Sequence, residues 1–462
     1  MIRYRLLAWI LGVILAYAFI SFTGLFTSTQ VISFTVFLGI ILSILLFWRL
    51  RVAFAFIGIF ALLSTGLLDV THLVEFAGLD IIIFLIGMMI VVGYLEERHF
   101  FEYLLNRIMG AARTARSSMV LLMGMAAFSA ALVDEVTSIL FMTALVLRLT
   151  SRLAINFIPL LILVIFATNI GSSATVVGNP VGVMIALRAG LSFAEFLRWA
   201  TPISIAALLV TMLVGYTYYR KYFKLMDERL AEYRLVAAKA QPDNGGPDKL
   251  DKKALFLFLF TMSLLIGHTA IENALSLEKN TMLIAAPLIG ASAALFLQGE
   301  HARELLEKRV DWWTLTFFLM FFATVGTLKY VGVTSVFGSI FANLTGGNIA
   351  LAIPLLGFIS GMMTAFMDNI LAVAVLIPIF QELGQTGLPI YPLWWVLLFA
   401  GTLMGNMTMI GSTANIVAIG MVERQRLGHI TFMEWFKIGA IVSLLTLSLA
   451  LLLIYLQIPL MP

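Results

Sequence analysis

Two stretches of the chain decide how it is read: Ala131-Leu-Val-Asp134-Glu135-Val-Thr137-Ser138 and Ala365-Phe-Met-Asp368-Asn369-Ile-Leu-Ala372, whose aspartates lie 234 positions apart. Each puts an acid in the middle of a long apolar segment. A second pair keeps the same spacing. Ser173-Ala-Thr175-Val-Val-Gly178-Asn179-Pro180 matches Asn406-Met-Thr408-Met-Ile-Gly411-Ser412-Thr413, with the threonines and the glycines each 233 apart. Three landmarks in register point to two repeated halves, here taken as 31–219 and 254–462. Residues 1–30 form an additional N-terminal helix, and 220–253 form a polar cytoplasmic linker ending in Gln-Pro-Asp-Asn-Gly-Gly-Pro-Asp.

Outward from these landmarks the chain is apolar nearly throughout. Of its 462 residues 61% are hydrophobic and only 12% charged, with a mean hydropathy of +1.03. Soluble domains run at about 45–50% apolar and about 25% charged. That composition excludes a soluble enzyme, a disordered chain and a nucleic-acid partner, whatever the net charge of +4 implies. There is no cysteine, so no disulfide, thiolate metal site or cysteine nucleophile exists. Leu6 to Trp48 is free of charge, enough for two spans of about 20 residues each. Further apolar runs bring the expected total to about 11 transmembrane helices in an all-α polytopic membrane protein. The segments 118–147 and 348–381 are expected to be re-entrant hairpins. With the N-terminus cytoplasmic, that arrangement leaves only Arg188, Arg198, Lys279 and Lys329 of the 29 Lys and Arg outside, as the positive-inside rule requires. The C-terminus then lies outside, in a plasma-membrane protein. An odd number of crossings per half makes the repeat inverted, an architecture common in secondary transporters.

Asp134, Glu135 and Asp368 are the acids at membrane depth, where an ionisable group normally faces a cavity and has a function. Glu135, whose counterpart is Asn369, ranks behind Asp134. The runs 153–187 and 383–422 are too long for one straight span and are interrupted by Gly, Ser, Thr, Asn and Pro180. They read as two broken helices. Unwound backbone at that depth lines a polar cavity or is buried in protein, and freed carbonyls and helix N-termini can hold ions there. The expected substrate and ion ligands are Asp134, Glu135, Thr137, Ser138, Asn169, Ser172, Ser173, Thr175, Gly178, Asn179, Asp368, Asn369, Asn406, Thr408, Gly411, Ser412, Thr413 and Asn415. A sodium ion is expected near Asp134, Gly178, Asp368 and Gly411. His268 and Glu272 read as interfacial packing residues. The stretch from Gly326 to Val333 reads as a linker into a surface helix, not a phosphate loop, and no Walker motif is present.

The order of hairpin aspartate, Thr168-Asn169-Ile-Gly-Ser-Ser-Ala-Thr-Val-Val-Gly178-Asn179-Pro180 and Gly405-Asn406-Met-Thr-Met-Ile-Gly-Ser-Thr-Ala-Asn415 resembles the ion transporter superfamily. That group includes ArsB-type arsenite permeases, NhaD sodium/proton antiporters, the melanosomal P protein and divalent-anion/sodium symporters with a citrate-transporter-like domain. The resemblance implies a homodimer working by an elevator-like motion, with hairpin tips and helix breaks forming the site. Carboxylate symporters of the group carry Ser-Asn-Thr at the hairpin tips. Here the tips read Asp-Glu-Val-Thr and Asp-Asn-Ile-Leu, which disfavours that branch.

The chain is therefore expected to be a non-enzymatic secondary transporter coupled to H+ or Na+, without another cofactor. Export of a small inorganic solute such as arsenite or antimonite leads. Sodium/proton antiport and small-anion symport are the alternatives, and an accessory ATPase as a partner stays open. Replacement of Asp134 or Asp368 by Asn is expected to abolish coupled uptake in everted vesicles.

Overall fold

The computed structural model of the chain describes residues 2–100, 103, 114–237 and 250–462. It is 85% helix, with no strand among the described residues. Ten helices are long and apolar enough to cross a bilayer. Two facts relate this number to the eleven crossings expected. The first arms of both hairpins, Ala115–Leu132 and Ile349–Phe366, reach spanning length, whereas both broken segments divide into helices too short to count. In addition, Ser28–Ser64 is not one rod. It turns at Trp48–Leu50, and Gly58 comes back against Ile40 so closely that a Cβ there would sit 2.6 Å from the Ile40 Cδ1.

The chain divides into two compact units, each drawing segments from both sequence halves. The first comprises residues 1–86, 307–349 and 374–390. Its N-terminal helix Ile2–Phe22 is exposed over most of its surface and is tied to Ser28–Phe47 by the Trp9 indole N–H, which donates to the Gly39 carbonyl at 2.7 Å. Phe34, Phe37, Phe321 and Phe337 lie along one chain of ring contacts. Gly326 lies inside the helix Trp312–Tyr330, not in a linker: a Cβ there would meet Phe76 at 2.4 Å, so the glycine serves a close helix crossing.

The second unit comprises residues 87–306, 350–373 and 391–462. At its centre are the helices Ile158–Ser172 and Ile390–Leu403, which are buried on all sides over most of their length. The region read as a polar linker begins with a helix, Arg220–Ala237, whose Phe223, Met226 and Leu230 pack into the core of this unit. The spacing of three and four residues puts these apolar side chains on one helix face. Asp227 on the same helix accepts the Ala115 N–H at 2.6 Å, at the base of the first hairpin. The Gln241–Asp248 stretch lies outside the described residues.

Candidate functional site

All the polar landmarks lie in the second unit. The first hairpin turns at Val133–Asp134 between Ala115–Leu132 and Glu135–Arg152. Its arms are joined by a Ser129–Ser138 hydroxyl contact and by the Ser138 hydroxyl, which donates to the Ala126 carbonyl at 3.2 Å. Asp134 is the N-cap of the second arm and accepts the N–H groups of Val136 and Thr137 and the Thr137 hydroxyl. Acids are favoured at such a cap because they satisfy orphan N–H groups and face the positive end of the helix. The second hairpin turns at Met367–Asp368, and Asp368 accepts the Ile370 N–H at 3.1 Å.

Both broken helices have the same construction. Ile158–Ser172 gives way to a short 3-10 turn at Val176–Gly178 and restarts at Pro180–Ala189, with Asn179 capping the restart through the Gly182 N–H at 2.7 Å. Ile390–Leu403 passes through Met404–Asn406 and restarts at Thr413–Arg424, with Ser412 accepting the Ala414 N–H. The repeat is visible in matched contacts. Thr175 donates its hydroxyl to the Ala131 carbonyl, and Thr408 donates to the Ala365 carbonyl. A Cβ on Gly178 would strike the Ser172 carbonyl, and one on Gly411 would strike that of Gly405. The backbone of Gly171 crosses that of Ala127, and Gly361 meets Met404 at the equivalent crossing, with the glycine on the other partner.

Glu135 sits where these parts converge. It is 1% exposed. Its carboxylate accepts the Ser172 hydroxyl from the first break at 3.0 Å, the Asn369 amide from the second hairpin at 3.4 Å and the Ser412 hydroxyl from the second break at 3.4 Å. Asn179 donates to the Ser172 oxygen at 2.7 Å. Asp368 accepts the Thr413 hydroxyl at 2.6 Å. Glu135 and Asn369 occupy equivalent places in the two halves, so the carboxylate meets its own repeat partner. The segments 117–147, 158–187 and 348–422, which supply all these groups, contain no Lys, Arg or His.

Asn169 braces the two breaks. Its amide donates to the Asn406 and Asn415 side-chain oxygens at 2.7 and 2.8 Å, and its own oxygen lies 3.1 Å from the Ser412 hydroxyl, whose one proton it shares with Glu135. Asn415 spends both its amide hydrogens on the Gly405 and Thr408 carbonyls. Thr137 and Ser138 serve their own hairpin, and Ser173 bonds to Ser204 at 2.8 Å. Asp134 bonds within its hairpin, so the two tips contribute differently. No group of three His, Cys, Asp or Glu that could hold a metal ion gathers among the described residues. Trp435 completes the second break by donating its indole N–H to the Asn406 carbonyl at 2.9 Å. Sequence reading passed over Trp435; a tryptophan at the start of an apolar span, needing a partner for its N–H, was the available signal.

The family model of the citrate transporters matches residues 37–400. The chain belongs to the CitMHS citrate transporter family, within the ion transporter superfamily. Similar proteins include an uncharacterized transporter of Mycobacterium bovis, 32% identical over 389 residues that cover 82% of this chain and 86% of the relative. The human P protein is 27% identical over 440 residues, covering 80% of this chain and 52% of that protein. The crystal structure of the Alcanivorax borkumensis YdaH transporter, described as having an unusual topology, shares the fold with a TM-score of 0.58. It is 15% identical and covers 86% of this chain and 88% of that one. This member of the family is a multi-pass membrane transporter for an ion or small molecule.

Proposed function

We propose that the chain is a secondary transporter in which Glu135 and Asp368 take up the coupling cation, H+ or Na+, within one polar chamber formed by two inverted halves. The observation that carries this reading is the grouping of Glu135 with Asn369 and Ser412, and of Asp368 with Thr413, in segments that hold no basic side chain. Carboxylates in a dry site take up a proton or metal cation, and they repel an anion until such a cation is present. The co-substrate is a small oxygen-rich solute held by hydroxyls and amides. Arsenous acid fits as an uncharged trihydroxy species. The citrate transporter description of the family favours a second reading, a carboxylate that enters with a neutralising cation. Asp134, Gly178 and Gly411 would complete the sodium shell if Na+ is the coupling ion, and the remaining polar residues of the breaks would line the path. The protein works as a homodimer in the plasma membrane, N-terminus inside and C-terminus outside. Flux into proteoliposomes, with arsenite, Na+, Li+, citrate and phosphate tested over a pH series, decides among these solutes. Flux that is independent of both pH and Na+ for every solute would refute the coupling.

A further inference from the structure

A second buried ionisable cluster lies outside that chamber. His268 and Glu272, one turn apart on the helix Lys252–Leu275, are 0% and 3% exposed. The His268 Nε2 accepts the backbone N–H of Phe193 at 3.1 Å. A backbone N–H can only donate, so Nε2 carries no proton in this arrangement and the imidazole is the neutral Nδ1–H form. That Nδ1–H donates to the Glu272 carboxylate at 3.2 Å. The same carboxylate oxygen accepts the Met282 N–H at 2.9 Å, standing in for the side-chain cap that Asn280 does not supply to the helix Thr281–Gln298. Asn280 instead donates to the Ala186 carbonyl at 3.1 Å. The pair and Asn280 thus tie the connection between two apolar helices to the segment that leaves Pro180–Ala189, the restarted half of the first broken helix.

We propose that His268 and Glu272 form a proton-sensitive latch that holds the exit of the first broken helix while His268 is neutral and releases it when His268 is protonated. A proton on Nε2 would place an N–H against the Phe193 N–H. Two donors cannot share that position, so the bond to Phe193 is lost and the new N–H turns to the Thr269 hydroxyl oxygen, 3.3 Å from Nε2. The Glu272 contact survives and strengthens, because an imidazolium is its better donor. The charged groups on the elements packed around His268 are few. Arg188 belongs to Pro180–Ala189, and Glu195 is committed to Ser192 and, at 2.9 Å, to the Tyr391 hydroxyl. Glu278 and Lys279 lie in the 276–280 connection, with the Lys279 side chain along Gly190, and Thr281–Gln298 carries no charge. Glu272 is the carboxylate bonded directly to His268.

The test is amide hydrogen exchange on the full-length protein in nanodiscs between pH 8 and pH 5.5, corrected for intrinsic exchange rates. In the wild type, protection of the Phe193 amide is expected to fall at least about tenfold as the pH drops. In His268→Gln, whose side-chain oxygen accepts the same N–H without titrating, protection is expected to stay constant. In His268→Phe it is expected to be lost at every pH. Equal pH dependence in the wild type and His268→Gln, or constant wild-type protection to pH 5.5, would overturn the latch. If His268→Gln does not fold, histidine-selective NMR of the wild type decides: a His268 resonance that titrates together with the Phe193 amide supports the latch, and one that stays neutral to pH 5.5 overturns it.

Discussion

A carboxylate at membrane depth costs about 2.5–3.5 kcal/mol on insertion scales, and Glu135 meets that cost with hydroxyl and amide donors instead of a cation. In the proposed coupling this group exchanges its charge for a bound proton or metal ion. Glu135→Gln keeps the volume and removes the charge, so the variant should fold, reach the membrane and lose coupled flux by more than about tenfold, as a proteoliposome assay would register. Asp134→Asn retains a capping oxygen for Val136 and Thr137. With H+ as the coupling ion it should lower flux far less than Glu135→Gln does, not abolish it as expected from the sequence, and only if Asp134 also holds Na+ should the two losses match. Asn169 calls for a different measurement. Replacing it by Ala strands the side-chain oxygens of Asn406 and Asn415, each buried group costing about 1–3 kcal/mol when left unmade. A clear drop in unfolding temperature is expected, and an unchanged one would mean that Asn169 does not brace the breaks. The acids were legible from hydropathy alone. Their partners were not, because Glu135 lies one residue beyond a cap, and only the turn geometry shows that Asp134 spends its oxygens locally while Glu135 reaches three other segments.

At the scale of elements, two close crossings hold hairpins to broken helices. A Cβ on Gly171 would lie 2.1 Å from the Ala127 carbonyl oxygen, a backbone atom that cannot move alone. On Gly361 it would lie 2.6 Å from the Met404 Cγ, part of a flexible side chain. Gly171→Ala should therefore destabilise by at least the 1–3 kcal/mol typical of overpacking, roughly, and Gly361→Ala by less, since methionine can rearrange. Thermal unfolding in detergent distinguishes them, and equal losses would contradict the crossing geometry. The breaks themselves were readable, because small and polar residues interrupt both 153–187 and 383–422, with Thr175 and Gly178 of the first matching Thr408 and Gly411 of the second. The helix Arg220–Ala237 was not. Its charges dominate a composition-based reading, and the buried stripe of Phe223, Met226 and Leu230 acquires meaning only once the first hairpin stands beside it.

For the whole molecule, the repeat and the compact units are different divisions of one chain. The landmarks at 233 or 234 positions describe how the sequence is organised, whereas each unit is assembled from both halves. Hydrophobic patterning carries the first kind of information. The second depends on contacts across hundreds of residues, such as Asn169 with Asn415, which no local pattern specifies. The substrate is equally illegible, because hydroxyls, amides and carboxylates serve many small solutes. The central claim is that Glu135 and Asp368 carry the coupling cation in a chamber built from both halves. Proton movement into proteoliposomes, followed with an internal pH dye under imposed Na+, arsenite or citrate gradients, tests it most directly. Gradient-driven proton or Na+-linked flux in the wild type that disappears in both folded variants, Glu135→Gln and Asp368→Asn, is the predicted result. Wild-type coupling in either variant would contradict it.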